Sequence, residues 1–218
     1  MENLAKGDWS DPKQVQEFAT TYHKRYGPLF WKSLTDILPE RSFRNIADFG
    51  CGPGIWLADA ITRFDAPVAY GLDASQAMLD YANEILRKIA GGVKYTLHLV
   101  DFDQGTIPLP ISSVDLGFSG FMLHEVADAR KFTVMVLRHI NTDGVFVVYD
   151  FISGNPEEFI RQMAKLGISE ERARMRYPHM CKHSLSDIEA IMKNAGFSSV
   201  SSKKILDTRA VVVAVKST

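Results

Sequence analysis

The stretch Asp48-Phe-Gly-Cys-Gly-Pro-Gly54 constrains this chain more than any other. It follows a short apolar strand, Asn45 to Phe49, and opens a helix from about Gly54 to Phe64. Glycines at such a turn allow positive φ and let a ligand lie against the backbone. The N-terminus of the following helix offers free N–H groups. A dinucleotide turn has G-x-G-x-x-G spacing, so that it embraces a pyrophosphate. Here the spacing is G-x-G-x-G, and Asp48 stands two residues before the first glycine. A carboxylate there repels a pyrophosphate and suits a ligand with a positively charged amine.

The turn belongs to a longer alternation. Strands are expected at Pro67–Leu72, Val93–Val100, Val114–Ser119 and Gly144–Phe151, with helices at Ser75–Ala90, stopped by Gly91-Gly92, and Asp128–Ile140. Strands that are apolar on both faces and alternate with helices argue for a parallel sheet covered by helices. Phe197–Ile205 and Arg209–Val215, joined at Asp207-Thr208, read as a hairpin, so the sheet should finish on an antiparallel strand. Before the alternation comes an aromatic-rich prelude. Asp11 is a good N-cap, Pro12 suits the first helical position, and Gln14 completes a capping-box-like pattern. That helix should run to Tyr26 and stop at Gly27, with a second over Pro28–Leu38. Residues 152–183 interrupt the rhythm with short helices at Pro156–Leu166 and Ser169–Arg176 and then an irregular piece. A helix follows near Ser184, where Ser184 and Asp187 form a capping-box pattern. Long insertions at this edge of a sheet serve as lids or substrate loops.

Composition narrows the function. With 218 residues and 46% apolar content the chain can bury a sizeable core, read as one domain over 1–218 with an N-terminal cap (1–40) and a lid (152–183). The net charge of −1 leaves no global footprint for a polyanion, which disfavours a dedicated nucleic-acid binder. The two cysteines, Cys51 and Cys181, exclude a disulfide-dense scaffold. No apolar run is long enough to span a membrane, and the polar start lacks a signal peptide's apolar core, so a cytoplasmic location is expected.

Three successive strand ends carry the ligand chemistry. Asp48 suits an amino acid's amine. Asp73, ending the second strand, can accept both hydrogen bonds of a ribose diol. Asp101-Phe102, ending the third, can take an adenine amino proton and pack on the base. An amino acid, a ribose and an adenine together describe S-adenosylmethionine.

Here the chain resembles the class I S-adenosylmethionine-dependent methyltransferases over nearly its whole length. The resemblance rests on Asp48–Gly54, Gly71-Leu-Asp73-Ala-Ser-Gln-Ala-Met78, Asp101-Phe102, Ile107-Pro-Leu-Pro before Val114-Asp115-Leu, Phe121-Met-Leu-His124-Glu, and Asn194-Ala-Gly-Phe197. It implies an α/β, Rossmann-like, seven-stranded and mostly parallel sheet, with helices on both faces and an antiparallel last strand. It implies that Gly50, Gly52 and Gly54 pass under the methionine part and that Met78 packs on the adenosine. Cys51, Ala74 and Ser119 join the cofactor set at the same strand ends. Family members often bring an N-terminal tyrosine over the cofactor, which points to Tyr22 and Tyr26. The chain departs from the family in having His124-Glu125 where two histidines are frequent, and Thr142-Asp143-Gly144 where Pro-Gly-Gly is.

Methyl transfer from a sulfonium is an in-line displacement, so the protein must mainly align the reactants and exclude water. A neutral His124, just beyond the fourth strand, could take a proton from an oxygen or nitrogen nucleophile. Asp150, ending the fifth, faces the same rim and could touch the substrate. The lid should choose the acceptor: Arg176 and Tyr177 are expected to line its pocket beside Met163, Met175 and Met180. Over residues 161–183 the basic residues Arg161, Lys165, Arg172, Arg174, Arg176 and Lys182 stand against only Glu170 and Glu171, so an anionic acceptor is one option. His179, Cys181 and His183 stand at alternate positions, but no fourth ligand is evident and no metal is expected. The reading is therefore a methyltransferase acting on an O, N or C nucleophile of a small molecule, as a monomer or homodimer. The alternatives are an RNA or protein methyltransferase, or a non-catalytic partner subunit that only holds the cofactor.

Overall fold

The computed structural model describes residues 9–89 and 92–217. Its core is a seven-stranded sheet in the order β3-β2-β1-β4-β5-β7-β6. The strands are β1 (Asn45–Phe49), β2 (Val68–Asp73), β3 (Lys94–Leu99), β4 (Val114–Gly120), β5 (Ile140–Phe151), β6 (Ser199–Leu206) and β7 (Arg209–Val215). All neighbours from β3 to β5 pair in parallel, whereas β7 runs antiparallel to both β5 and β6. The Rossmann-like fold is therefore as expected. Because β7 inserts between β5 and β6, the reversed strand lies inside the sheet and not at its edge.

The period of the strands divides the core in two. Along β5, Phe146 and Val148 join one apolar cluster with Phe132 and Val136 of α6 (Ala129–Leu137) and Ile188 and Met192 of α9 (Leu185–Ala195). Val145, Val147 and Tyr149 join another, with Phe30, Trp31 and Leu34 of α3 (Pro28–Thr35) and Trp56 and Leu57 of α4 (Ile55–Phe64). Successive residues point to opposite faces, so a strand buried on both sides must be apolar throughout. Fully burying each such side chain contributes about 1.5–3 kcal/mol.

Several boundaries differ from expectation, each for a local reason. The first helix does not run unbroken to Tyr26. α1 (Pro12–Thr20) stops and α2 (Tyr22–Arg25) begins after Thr21. At the break, Thr21 Oγ1 donates to Phe18 O at 2.8 Å and Arg25 Nη2 donates to the same carbonyl at 3.1 Å. Side chains thus take a carbonyl that a continuous helix would use. Asp11 does cap α1, but by accepting from Lys13 N. α5 (Gln76–Leu86) starts behind the Ser75 cap and ends short of Ala90, its last carbonyls taken by Lys88 and Ile89 in tight turns. Part of the expected Gly91-Gly92 stop lies outside the described residues. β5 begins at Ile140, four residues before the expected Gly144, by pairing Ile140 with Val114 ahead of a register shift.

The 152–183 stretch holds α7 (Pro156–Lys165) and α8 (Glu170–Met180). α8 continues through Pro178, where an irregular piece was expected. The two pack on Phe151 through Phe159, Ile160, Met163, Ala173 and Cys181, a small core of their own. No helix among the described residues is long and apolar enough to cross a membrane.

Gly54 shows how tightly α4 and α5 meet at the turn. Its φ is +72°, and a Cβ there would lie 2.7 Å from Ala82 Cβ. Gly54→Ala is expected to cost about 1–3 kcal/mol, from the left-handed backbone and overpacking, read as a lower urea midpoint. An unchanged midpoint would show that α5 moves aside freely.

Candidate active site

Three glycines of the β1–α4 turn take positive φ: Gly50 at +91°, Gly52 at +50° and Gly54 at +72°. The turn is tied to the end of β2. Gly50 N and Cys51 N donate to Leu72 O at 2.8 and 2.9 Å. Gly52 N donates to Asp73 Oδ2 at 2.8 Å, while Ser75 N donates to Asp73 Oδ1 at 2.9 Å. One carboxylate therefore closes the turn and starts α5. A Cβ on Gly52 would meet only Met78 Sδ and Phe18 Cε1, both at 3.9 Å, so the space above it is open.

That space belongs to a cavity of about 930 Å³ at the carboxyl ends of β1, β2 and β4. Asp48, Gly50, Cys51, Gly52, Asp73, Ala74, Met78, Asp101 and Phe102 line one side. Tyr22 and Tyr26 line the side formed by α2; His124 and Arg176 also reach the wall. Tyr22 and Tyr26 stack with ring centroids 4.9 Å apart, and Tyr22 Oη donates to Asp59 Oδ2 at 2.7 Å.

Four expected residues stand elsewhere. Gly54 is filled by α5, as described above. Ser119 is fully buried within β4, beside Val148, because the strand runs one residue further to Gly120. Asp150 lies behind His124 and does not reach the rim: Oδ1 is 2.6 Å from His124 Nδ1, and Oδ2 accepts from His124 N at 3.2 Å. Tyr177 turns into the lid, where its hydroxyl donates to Gly154 O and its ring meets Phe159 edge-on at 5.4 Å. Asp150 and Tyr177 found partners inside the protein that strand and helix boundaries alone do not reveal, whereas Ser119 is buried with its Oγ unpartnered among the described residues.

The cavity is electrostatically unusual at one end. Asp48 is 2% exposed and its Oδ1 has no hydrogen-bond partner among the described residues. Burial pushes its carboxyl well above the ordinary range, and the Asp73 charge adds to this. Arg25 is 8% exposed, with Nε likewise unpartnered. Its guanidinium lies 3.8 Å over the Phe18 ring and donates to the neutral oxygens Thr21 Oγ1 and Phe18 O. Burial lowers its pKa to about 10. Burial pushes the Tyr26 hydroxyl up, while the Arg25 charge pulls it down and the Asp48 charge adds to the rise.

His124 lies at the wall beneath α8. Its Nε2 is 3.2 Å from Glu125 Oε1, so both ring nitrogens are engaged. Burial opposes its charge, but the Asp150 and Glu125 carboxylates outweigh burial and raise its pKa to about 9. The two carboxylates thus favour a proton on the ring, against the neutral proton acceptor expected from sequence. Burial likewise opposes the Glu125 charge, yet the imidazoles of His124 and His179 bring its carboxyl down to about 2.

Sequence reasoning missed several wall residues: Trp9, Phe18, Arg25, Phe121 and Glu125. Phe121 has φ +57°, an outlier for an aromatic residue that redirects the chain after β4 toward His124. The basic stretch resolves unevenly. Arg161 pairs with Glu158, and Arg174 with Glu157 and Glu170, on the outside. Arg172 and Arg176 reach the cavity, and Arg176 Nε is buried without a hydrogen-bond partner among the described residues. Met163 and Met180 also line it. Met175 is exposed. Of the alternating trio, His179 stays on α8, Cys181 enters the lid core and His183 lies beyond, so they do not converge.

Residues 47–148 match a family described as a methyltransferase domain. The chain is 30% identical over 117 residues to trans-aconitate 2-methyltransferase of Deinococcus radiodurans, an alignment covering 54% of this chain and 42% of that protein. The chain thus spans less than half the length of that relative. In three dimensions it is similar to an S-adenosylmethionine-dependent methyltransferase from Aquifex aeolicus, with a TM-score of 0.68 and 19% identity over 94% of this chain and 98% of that one. It is also similar to a Haemonchus contortus phosphoethanolamine N-methyltransferase 2 crystallised with phosphomonomethylethanolamine and S-adenosylhomocysteine. That match has a TM-score of 0.69 and 17% identity over 100% of this chain and 61% of that one.

The unpartnered Asp48 carboxyl makes a prediction with opposite signs. Asp48→Asn should weaken S-adenosylmethionine binding by about tenfold or more, the loss of a hydrogen bond to a charged group. The melting temperature should hold or rise, because a buried carboxyl that the fold leaves without a partner has been removed. Calorimetry and thermal melts on the same sample check both. Unchanged affinity would remove Asp48 from the cofactor's amine.

Proposed function

Because residues 47–148 carry a class I S-adenosylmethionine-dependent methyltransferase domain, we propose that this protein methylates a small anionic molecule. The observation that carries this reading is the pair Arg172 and Arg176 on the cavity wall, with Arg176 Nε unpartnered. An acceptor carboxylate or phosphate would supply what the arginine lacks, and a planar guanidinium fork suits either. The Deinococcus relative's name specifies a polycarboxylate and the Haemonchus structure holds a phosphate ester, both anionic.

S-adenosylmethionine supplies the reaction with a methyl group on a sulfonium, open to in-line displacement. The residues present fit it. Asp48 would hold its ammonium and Arg25 its carboxylate, a zwitterion's two charges answered by two charges that the fold leaves unpaired. The open space over Gly52 would receive the methionine portion. Asp73, bonded to Gly52 N and Ser75 N, would accept from the ribose diol. Asp101, Phe102, Ala74 and Met78 would hold the adenine. Tyr22 and Tyr26 would cover the reacting end and exclude water, with Cys51 behind the turn.

On the acceptor side, α7 and α8 act as the lid. His124, oriented by Asp150 and paired with Glu125, stands at the wall of the acceptor end; alignment and desolvation supply the rate. Tyr177 and Asp150 act as positioning residues for the lid and for His124. The reading places the protein in the cytoplasm as one domain, monomeric or homodimeric, supported by two free, buried cysteines.

Methyl transfer to a panel of small carboxylates and phosphate esters, read as S-adenosylhomocysteine release, tests the proposal. Turnover confined to neutral or cationic acceptors would overturn it. With an active acceptor, Arg172→Ala with Arg176→Ala should leave cofactor affinity within about twofold and raise KM about tenfold or more. Tyr177→Phe should lower the melting temperature and leave kcat unchanged. Selective loss of kcat would return Tyr177 to the pocket.

A further inference from the structure

The ligand atoms of three side chains beneath α8 lie within 4.8 Å of one another: His124 and Glu125, after β4, and His179, on α8. Glu125 Oε1 is 3.2 Å from His124 Nε2, and Glu125 Oε2 is 3.4 Å from His179 Nε2. Ligands at about 2.0–2.2 Å from a tetrahedral ion stand about 3.4 Å apart. Each imidazole is thus at a coordination-edge distance from one Glu125 oxygen, Oε1 for His124 and Oε2 for His179, and a small turn of the carboxylate would let a single oxygen serve both.

A second observation is independent of that spacing. The buried Asp150 carboxylate binds His124 Nδ1 at 2.6 Å, which turns Nε2 to the cluster. A carboxylate behind the far nitrogen of a histidine is the arrangement that orients metal-ligating imidazoles. Access is also present, since Glu125 is 29% and His179 28% exposed.

The geometry points to a divalent transition-metal site, of the zinc class, formed by His124 Nε2, the Glu125 carboxylate and His179 Nε2. Two imidazoles and one carboxylate select zinc-like ions over magnesium or calcium. Three protein ligands leave a fourth position. His124 and Glu125 both line the cavity, so that position faces the acceptor end. The ion would replace the two imidazole–carboxylate contacts, and any proton on either Nε2 passes to solvent as it binds. Bound there, it would join α8 to the end of β4 and present a Lewis acid to an oxygen of an anionic acceptor. Metal binding stands apart from the methyltransferase reading, whereas the use of the fourth position rests on it.

The test is equilibrium dialysis of the full chain against Zn²⁺ after chelation, with Co²⁺ as a spectroscopic probe. The expected result is one ion per chain and the intense visible absorption of tetrahedral Co²⁺. Affinity should fall at least about tenfold in His179→Ala and in Glu125→Gln. It should also fall in Asp150→Asn, the usual range for an outer-shell partner being about 10–100-fold. S-adenosylmethionine binding to each variant shows that the fold is retained. Absence of stoichiometric binding, or binding indifferent to both His179→Ala and Glu125→Gln, would overturn the site. A Co²⁺ spectrum that shifts when an active acceptor is added supports the open position. An unshifted spectrum with normal turnover would leave the ion a lid tie and overturn its contact with substrate. If Zn²⁺ binds as expected but no acceptor is methylated, the metal site stands and the methyltransferase reading fails.

Discussion

Everything at the active end of this protein depends on how the β1–α4 turn is fastened to the end of β2. A turn through left-handed glycines leaves its N–H groups pointing away from its own chain. Here Gly50 N and Cys51 N find Leu72 O, and Gly52 N finds the Asp73 carboxylate. Asp73 also bonds Ser75 N at the start of α5. Turn, strand end and helix start are thus one hydrogen-bonded unit. Its stiffness lets Asp48 and Asp73 be held near each other in spite of their repulsion.

The same end of the molecule carries charges it does not neutralise. Burying a charge without a partner opposes folding unless something else supplies the partner. Asp48 and Arg25 are both in that condition and both line the cavity. His124 is the contrast: equally buried, it is answered on one side by Asp150 and on the other by Glu125. On the cavity wall the unanswered Asp48, Arg25 and Arg176 are where a charged ligand would belong, whereas His124 is held in one orientation by its partners. The lid follows the same division, with Arg161 and Arg174 paired outside and Arg176 unsatisfied inside.

Much of this was legible in the residues. The G-x-G-x-G turn, the carboxylates ending consecutive strands and the doubly apolar β5 and β7 fix fold class and cofactor type, because backbone conformation and burial on both faces are local demands on local sequence. Helix caps at Asp11 and Ser184 likewise read directly, each side chain bonding an N–H two or three residues on. Partnership across the chain was not legible. Arg25 carries no sequence mark that sets it apart from other arginines; what distinguishes it is its place on the cavity wall, over the Phe18 ring and bonded to neutral oxygens. Asp150 behind His124, Tyr177 against Gly154, and His179 beside Glu125 join residues 26, 23 and 54 positions apart. Such pairings follow from where the sheet ends and how α8 folds back over it. The sequence alone therefore determined which ligand the turn is built to receive. Only the tertiary structure decided which charges stay unpaired around it, because pairing is settled by proximity in space.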